Sequence, residues 1–217
     1  TTKSETEKKS KKWVPEKIVK SDKPAVEHKK SASKILKLYP KSFSREYLEH
    51  EAWRADQIIR PQHVKVIKKL ESTLKTQISD VEISSRIKDR TSMLEKLGRK
   101  PDKYKTLEDL QDVSGVRIVS KKGIQEITNI VSYIKHNYNV VGEDNYLNKP
   151  KDGYRSYHLN VKDKETGVIS EIQIRTPNQD KWAQWAFKIS YKPKPSVKKF
   201  VLDNKELITN YSLQMSD

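Results

Sequence analysis

The sequence predicts an α+β protein with one mixed β-sheet of about five strands flanked by helices. Helical stripes of apolar residues and runs of alternating polar and apolar residues are interspersed along the chain. Two alternating runs, 154–163 and 168–176, are joined by the polar stretch "DKETG", which is typical of a hairpin turn. Helices mixed with at least one hairpin favour an α+β or mixed-sheet domain.

Five helices are predicted. The first has Ser44 as its N-cap, the second follows Pro61 and the third follows Gly123. The fourth begins at Pro177, a residue that a first helical turn tolerates, and the fifth covers residues 197–211. In the first three helices, apolar residues recur at helical spacing and are assigned to the core: Tyr47, Leu48, Ala52, Ala55, Ile58, Ile59; Val64, Ile67, Leu70, Leu74, Ile78; Ile124, Ile127, Val131, Ile134, Tyr138.

Four strands stand out: 113–120, a weaker 138–147, and the two strands of the hairpin. Side chains of a strand point alternately to opposite faces. The two hairpin strands therefore each present a polar set on one face: Tyr154, Ser156, His158 and Asn160; Glu171, Gln173 and Arg175. A solvated sheet face is the simple interpretation of one such strand. Two adjacent strands with this pattern favour a binding or catalytic face.

Charge is unevenly distributed. The chain has 217 residues with 45 Lys and Arg against 29 Asp and Glu, a net charge of +16. Residues 1–41 hold 13 lysines and five acidic residues but few large apolar side chains, so we predict a mobile basic arm there and one domain over 42–217. A partner with many phosphates fits this charge, although a lysine-rich tail that only keeps the chain in solution is the alternative.

Composition also excludes several classes of function. The chain has no cysteine, which excludes disulfides, thiolate catalysis and thiolate metal sites. No apolar run approaches the roughly 18 residues of a membrane span, and no signal-peptide pattern is present, so we expect a cytoplasmic protein without a membrane partner. The chain begins with Thr1 rather than Met, and a fragment or a processed product is one interpretation.

A catalytic site is predicted around two carboxylates. Asp112 lies at the entrance of the strand that contains Arg117, and a bend before that strand is needed to bring both to one site. Asp112 and Glu171 would hold Mg²⁺, which takes one or two carboxylates plus substrate phosphates. Residues 86–105 contain eight basic and three acidic residues, suited to clamping a polyphosphate. Together these features predict a nucleotide-dependent phosphoryl or pyrophosphoryl transferase. Taken singly, each has a structural alternative: a turn-forming Asp, a solvated basic helix or a core Tyr.

Four segments carry a family resemblance: "RIKDRTSMLEKL", "LEDLQDVSGVRIV", "KPKDGYRSYHLNV" and "SEIQIRT". In order and spacing, over about residues 84–192, they resemble the synthetase domain of the RelA/SpoT alarmone synthetases. The resemblance implies a nucleotidyltransferase-like mixed sheet that moves the β,γ-pyrophosphate of ATP to the 3′-hydroxyl of GDP or GTP, yielding (p)ppGpp and AMP.

The resemblance also implies residue roles. Asp112 binds Mg²⁺, Glu171 activates the 3′-hydroxyl and helps to hold the metal, and Tyr154 stacks on the guanine. Basic residues hold ATP and its phosphates: Arg86, Lys88, Lys96 and Arg117. Other residues of the polar face are assigned to the acceptor: Ser156, His158, Gln173 and Arg175.

The acceptor stays open. Some toxin members of this family pyrophosphorylate the 3′ end of tRNA and block translation, and the motifs suit both acceptors. The net charge favours RNA, because polyanion binding scales with the number of phosphates neutralised. The family resemblance favours GDP or GTP, which we prefer. A third hypothesis is a non-catalytic RNA-binding module in which the basic arm is the functional part. Nothing in the sequence indicates the oligomeric state.

Overall fold

The structure, a computed structural model, describes residues 24–150 and 153–187 and the separate residues 200, 203, 204, 206, 207 and 210. In order, its elements are α1 (Val26–Leu38), α2 (Arg45–Arg54), α3 (Arg60–Gln77), β1 (Val81–Ile87), α4 (Arg90–Arg99), β2 (Ser114–Ser120), α5 (Ile124–Asn137), β3 (Val140–Asn145), β4 (Tyr157–Lys162), β5 (Ile169–Arg175) and α6 (Pro177–Ala186). The chain divides into a helical unit, Thr1–Pro61 with Lys88–Leu110, and a sheet unit, Gln62–Ile87 with Gln111–Asp217.

The helical unit contains the predicted first helix. Ser44 caps α2, and its hydroxyl accepts a hydrogen bond of 3.2 Å from the backbone N–H of Tyr47, as the sequence predicts. A π-helical segment, Ala55–Ile59, then leads without interruption to Arg60, the first residue of α3. Pro61 therefore lies in the first turn of α3, where proline is tolerated, and the break expected before it is absent.

Helix α1 corrects the prediction of a mobile arm up to residue 41. Ala32 and Ile35 of α1 are completely buried. Gly98 of α4 allows a close approach, because a Cβ atom there would lie 2.7 Å from the Ile35 Cγ2 atom. The prediction is therefore wrong for residues 26–38, which pack into the helical unit, while residues 1–23 lie outside the described residues.

The sheet unit holds a five-stranded sheet of order β1-β2-β5-β4-β3. Strands β2 and β5 are parallel and the other neighbours are antiparallel, so the predicted mixed sheet is confirmed. The four predicted strands are present, each shorter than predicted. Strand β1 was missed, because its sequence "VEISSRI" places polar residues on one face of an edge strand and runs directly into the basic segment.

One face of the sheet carries the core of this unit. Side chains of α3 and α5 pack on it, and the buried aliphatic residues are Ile67, Leu70, Leu74, Val116, Ile118, Ile127, Ile130, Val131, Ile134, Leu159, Val161, Ile172 and Ile174. These burial patterns confirm most positions of the predicted stripes of both helices, but Val64 is only partly buried and Ile124 is exposed. The opposite face of the strands is polar. This polar face is therefore the candidate for binding and catalysis.

The last predicted helices have different outcomes. Helix α6 begins at Pro177 as predicted, and the Thr176 hydroxyl accepts a hydrogen bond of 3.3 Å from the Gln179 backbone N–H. The helix predicted over 197–211 lies largely outside the described residues. Within the part of the chain that the structure describes, no helix is long and apolar enough to cross a membrane.

Candidate active site

The strand register brings the predicted polar residues to one face of the sheet. Arg86 of β1 is directly opposite Gly115 of β2, and Gly115 is opposite Glu171 of β5. Directly paired residues project to the same side of a sheet. The same rule adds Arg117, which is opposite Gln173, and His158, which is opposite Gln173 on the other flank. Four strands thus contribute to one polar face.

Asp112 lies in a turn just before β2, where the parity argument requires a bend. Residues 111–113 form a turn, and β2 begins only at Ser114. Strict alternation therefore does not extend back to Asp112. The negative charge of Asp112 acts on Glu171 in the direction of a raised pKa, so the two carboxylates are close enough to interact through space.

Glu171 is nevertheless ionised more easily than an ordinary glutamate. Burial acts to raise its pKa, but a hydrogen bond and the charge of His158, together with a hydrogen bond from the Gln173 amide, outweigh burial and lower the pKa. The His158 Nδ1 atom lies 3.2 Å from Glu171 Oε1. Glu171 is therefore a carboxylate at neutral pH, which suits a metal ligand or a proton acceptor.

A chain of polar contacts continues from Glu171 across the face. His158 Nε2 lies 2.7 Å from the Tyr154 hydroxyl, and Arg175 Nη2 donates to the same hydroxyl at 2.8 Å. Arg175 also donates to Gln173 Oε1 and, through Nε at 3.3 Å, to Ser156 Oγ. Ser156 and Arg175 are both buried. The chain from Glu171 to Arg175 fixes the orientation of every side chain in it.

Asp180 on α6 is a site residue that the sequence did not identify. Its Oδ1 atom lies 3.2 Å from Arg117 Nε and 3.2 Å from Arg175 Nη1. Burial, the main cause, and the nearby charges of other arginines lower the pKa of Arg117, while Asp180 opposes this. In the sequence, Asp180 looks like one of the acidic residues that are common in the first turn of a helix. No sequence signal therefore indicates that it pairs with Arg117 and Arg175.

Tyr146 is a second residue that was missed, and it belongs to an aromatic cluster around Tyr154. Its ring centroid lies 5.6 Å from that of Tyr154 and 5.1 Å from that of His158. The ring of Trp182 is 6.0 Å from Tyr154, and the Arg175 guanidinium carbon lies 5.2 Å from the Tyr154 ring centroid. Tyr154 is therefore partly buried among aromatic and cationic groups.

A cavity of about 190 Å³ opens on the β1 and β2 side of the face. It is lined by Ser84, Ser85, Arg86, Gly115, Val116, Arg117 and Gln173. Two guanidinium groups at one cavity suit a ligand with several phosphates, since guanidinium binds phosphate oxygens in a bidentate manner. Lys88 and Lys96, also predicted to bind ATP, belong to the helical unit, and their role stays a prediction.

The pair of carboxylates suits a Mg²⁺ ion that is also bound by substrate phosphates, rather than one held by protein ligands alone. No group of three or more His, Cys, Asp or Glu side chains suited to a metal ion occurs among the described residues. Mg²⁺ commonly takes one or two carboxylates and completes its shell with water and substrate phosphates. Asp112 and the ionised Glu171 supply this type of donor set.

Two curated proteins of Bacillus subtilis (strain 168) are similar to this chain. GTP pyrophosphokinase YwaC is 37% identical over 131 residues, which make up 55% of this chain and 62% of that protein. GTP pyrophosphokinase YjbM is 34% identical over 119 residues, or 51% of this chain and 56% of that protein. This chain thus spans less than two thirds of the length of both relatives.

Solved structures and a family pattern extend this similarity. Small alarmone synthetase 1 from Bacillus subtilis, bound to its product pppGpp, superposes with a TM-score of 0.57 at 28% identity, covering 76% of this chain and 94% of that chain. A GTP pyrophosphokinase family protein from Streptococcus pneumoniae superposes with a TM-score of 0.54 at 26% identity, covering 71% and 85%. The pattern described as "Region found in RelA / SpoT proteins" matches residues 85–196, more than half of the chain. This chain belongs to the RelA/SpoT family.

Proposed function

We propose that this chain transfers the β,γ-pyrophosphate of ATP to the 3′-hydroxyl of GDP or GTP, which yields ppGpp or pppGpp and AMP. The carrying observation is that Glu171 shares a sheet face with Arg86 and Arg117, and that the charge of Asp112, in the turn before β2, acts on Glu171. The similarity to proteins named GTP pyrophosphokinase supports this choice of reaction.

Glu171 is the proposed general base. The 3′-oxygen of the acceptor forms a bond to the β-phosphorus of ATP, and the bond from that phosphorus to the α,β-bridging oxygen breaks. AMP leaves with the bridging oxygen, and the hydroxyl proton passes to the Glu171 carboxylate. The lowered pKa of Glu171 keeps the carboxylate available at neutral pH, and His158, at 3.2 Å, orients it.

Asp112 and Glu171 are also the proposed ligands of Mg²⁺. When bound, this ion supplies positive charge to the phosphate oxygens of the reacting nucleotide. Arg86 and Arg117 would bind further phosphate oxygens beside them, and Asp180 would hold the Arg117 guanidinium in place. Lys88 and Lys96 are proposed as additional phosphate ligands on the basis of their sequence motif alone.

The acceptor would bind near Tyr154. We propose that the guanine stacks on this ring and that His158 and Gln173 contact the acceptor nucleotide. Ser156 and Arg175 were predicted as acceptor ligands as well, but both side chains are buried and bonded to neighbours. Their proposed role is therefore to hold the Tyr154 ring, and its hydroxyl, in one orientation.

A tRNA acceptor is the second candidate function. The net charge of +16 favours it, since one nucleotide needs far less positive charge than an RNA does. In that case the 3′-terminal nucleoside of tRNA would occupy the same place as GDP or GTP. The third hypothesis, a non-catalytic RNA-binding module, requires no carboxylate pair, and the geometry of Asp112 and Glu171 argues against it.

One panel of reactions tests all three. The full chain is incubated with Mg²⁺ and ATP radiolabelled at the γ-phosphate, in the presence of GDP, GTP or bulk tRNA. We expect label in the guanine nucleotide with matching AMP release, and a loss of at least about 10²-fold in Asp112→Ala and Glu171→Ala. Label in tRNA alone would establish the second candidate. Absence of AMP with every acceptor, together with tight RNA binding, would establish the third.

A further inference from the structure

Three polar side chains meet inside the otherwise aliphatic layer between the sheet and α3. His63 Nδ1 lies 2.8 Å from Ser114 Oγ, and Ser114 Oγ lies 2.7 Å from Ser170 Oγ. All three residues are buried. Ser114 and Ser170 are direct register partners in the parallel pair of β2 and β5. This His63 cluster thus connects the first turn of α3 to both strands.

Packing alone does not require the His63 cluster. A buried hydroxyl or ring nitrogen costs free energy unless it is hydrogen-bonded, and replacing a whole bonded set by apolar groups of similar shape is often neutral or stabilising. Hydrogen bonds add direction, so they select one side-chain orientation and one strand register. Burial lowers the pKa of His63 to about 4, so the ring is neutral near pH 7 and keeps this bonding pattern.

The His63 cluster involves the strand positions next to both carboxylates. Ser170 immediately precedes Glu171, and their side chains point to opposite faces of β5. Asp112 lies in the turn that ends at Ser114, the first residue of β2. The position of each carboxylate relative to the other therefore depends on how the starts of β2 and β5 are held together.

We propose that His63, Ser114 and Ser170 are positioning residues for the carboxylates of Asp112 and Glu171. This inference rests on the proposed function, in which the two carboxylates hold a divalent cation and Glu171 accepts the hydroxyl proton. Loss of the His63 cluster loosens the spacing of the pair without removing any group that touches a nucleotide. It should therefore lower kcat and cation affinity and leave the KM values for both nucleotides nearly unchanged.

Four variants of the full chain separate positioning from packing. His63→Leu removes the ring nitrogen and keeps apolar bulk, whereas His63→Asn keeps a polar atom close to the place of Nδ1. Ser114→Ala removes the central hydroxyl. Ser120→Ala is the matched control, because Ser120 is equally buried on the same strand and face but at the opposite end from Asp112. Kinetics, Mn²⁺ affinity by calorimetry without nucleotide, and thermal unfolding are measured on each.

We expect His63→Leu and Ser114→Ala to lose about 10-fold in kcat and about 10-fold in Mn²⁺ affinity, the lower end of what support of metal ligands contributes. The Tm of His63→Leu should be unchanged or raised, because Ser114 and Ser170 still bond to each other, whereas Ser114→Ala should lower the Tm by a few degrees, because it removes the contacts to both His63 and Ser170. The kcat and Mn²⁺ affinity of His63→Asn and Ser120→Ala should stay within about threefold of the wild-type values. If Ser114→Ala does not fold, Ser170→Ala replaces it with the same expectation.

Wild-type kcat and Mn²⁺ affinity in His63→Leu would overturn the proposal, as would an equal loss in Ser120→Ala. A wild-type chain without pyrophosphotransfer would instead refute the proposed function. The Mn²⁺ affinities would still test the positioning of the pair in that case.

Discussion

The two faces of the central sheet have opposite chemistry although the same strands build both. On β5, Glu171 and Ile172 are adjacent, and one belongs to a polar network while the other is completely buried among aliphatic side chains. The apolar face stabilises the fold, because each buried aliphatic side chain contributes about 1.5–3 kcal/mol. The polar face contains partly desolvated charges that contribute little net stability. The difference indicates that the polar face is retained for chemistry.

A buried glutamate, Glu51, and a partly buried one, Glu171, show that burial alone does not make such a site. Glu51 in the helical unit is bonded to Arg54 and to the backbone N–H of Leu107, and its pKa is raised because burial outweighs these partners. At Glu171 the partners outweigh burial and the pKa is lowered. Glu51 joins α2 to the 3-10 helix Leu107–Asp109, which is a structural role. Glu171 is held as an anion on a face that has a cavity and two arginines.

The largest predicted effect is on catalysis when the polar face loses its base. Glu171→Gln keeps the size of the side chain and removes the charge, so kcat should fall by about 10²–10⁴-fold, which corresponds to roughly 3–5 kcal/mol of barrier. Steady-state AMP release measures the change. Glu143→Gln on β3 is the control, since Glu143 pairs with Lys135 at the surface and should leave kcat unaltered. Similar losses in both variants would contradict the role of Glu171.

Ile172, which follows Glu171 on β5 and faces the core, should affect stability rather than catalysis. Ile172→Ala removes aliphatic groups from a fully buried position, and the free energy of unfolding should fall by about 2–5 kcal/mol. Chemical denaturation measures this loss. The folded fraction should keep its kcat within a few-fold. Ile124→Ala, at an exposed position of α5, should cost no more than about 0.5 kcal/mol. If Ile172→Ala raised the activation free energy by more than it lowered the free energy of unfolding, the assignment of stability to one face and catalysis to the other would be wrong.

Tyr154 sharpens the comparison because it lies on the polar face and is partly buried. Tyr154→Ala should weaken acceptor binding by about 1–3 kcal/mol if the ring stacks on a base, with ATP affinity retained. Tyr154→Phe keeps the ring but removes the hydroxyl that contacts His158 and Arg175, so it should lose less. The KM for the acceptor, the affinity for ATP and the free energy of unfolding are measured for the wild type and both variants. Equal weakening of both substrates together with lower stability would assign Tyr154 to the core.

The smallest effect concerns the pH dependence contributed by His63 on the apolar face. Its pKa is about 4 in the folded chain against an ordinary value of 6.5, so the unfolded chain binds more protons between these values. Stability should therefore fall as pH decreases through this window, by roughly 1.5 kcal/mol from this residue between pH 6.5 and 5. His63→Leu should remove that part of the slope. An identical slope in both proteins would show that His63 is not the titrating group.

Local sequence patterns predicted most of the helices and strands but not all of the contacts between them. Alternation in "GYRSYHLNV" and "SEIQIRT" identified two strands with polar faces, and the residues that the structure joins there were named. Helix α1 was missed because it is short and contains four lysines, and because its contact with α4 uses the small residues Ser31 and Gly98. Asp180 and Tyr146 were missed because their importance lies in contacts between different elements, which the local pattern of a helix or strand does not reveal.

The sequence by itself determined which residues share a strand or helix face, because side-chain periodicity and turn chemistry are properties of neighbouring residues. It also supplied the order of motifs that places the chain in its family. Only the tertiary structure decided that β2 lies parallel to β5 and that the turn before β2 carries Asp112 to Glu171. It also decided that Asp180 lies between two arginines and that His63 contacts Ser114 at the start of β2. These arrangements depend on which strands pair, and pairing is set by long-range contacts that a periodic pattern does not encode.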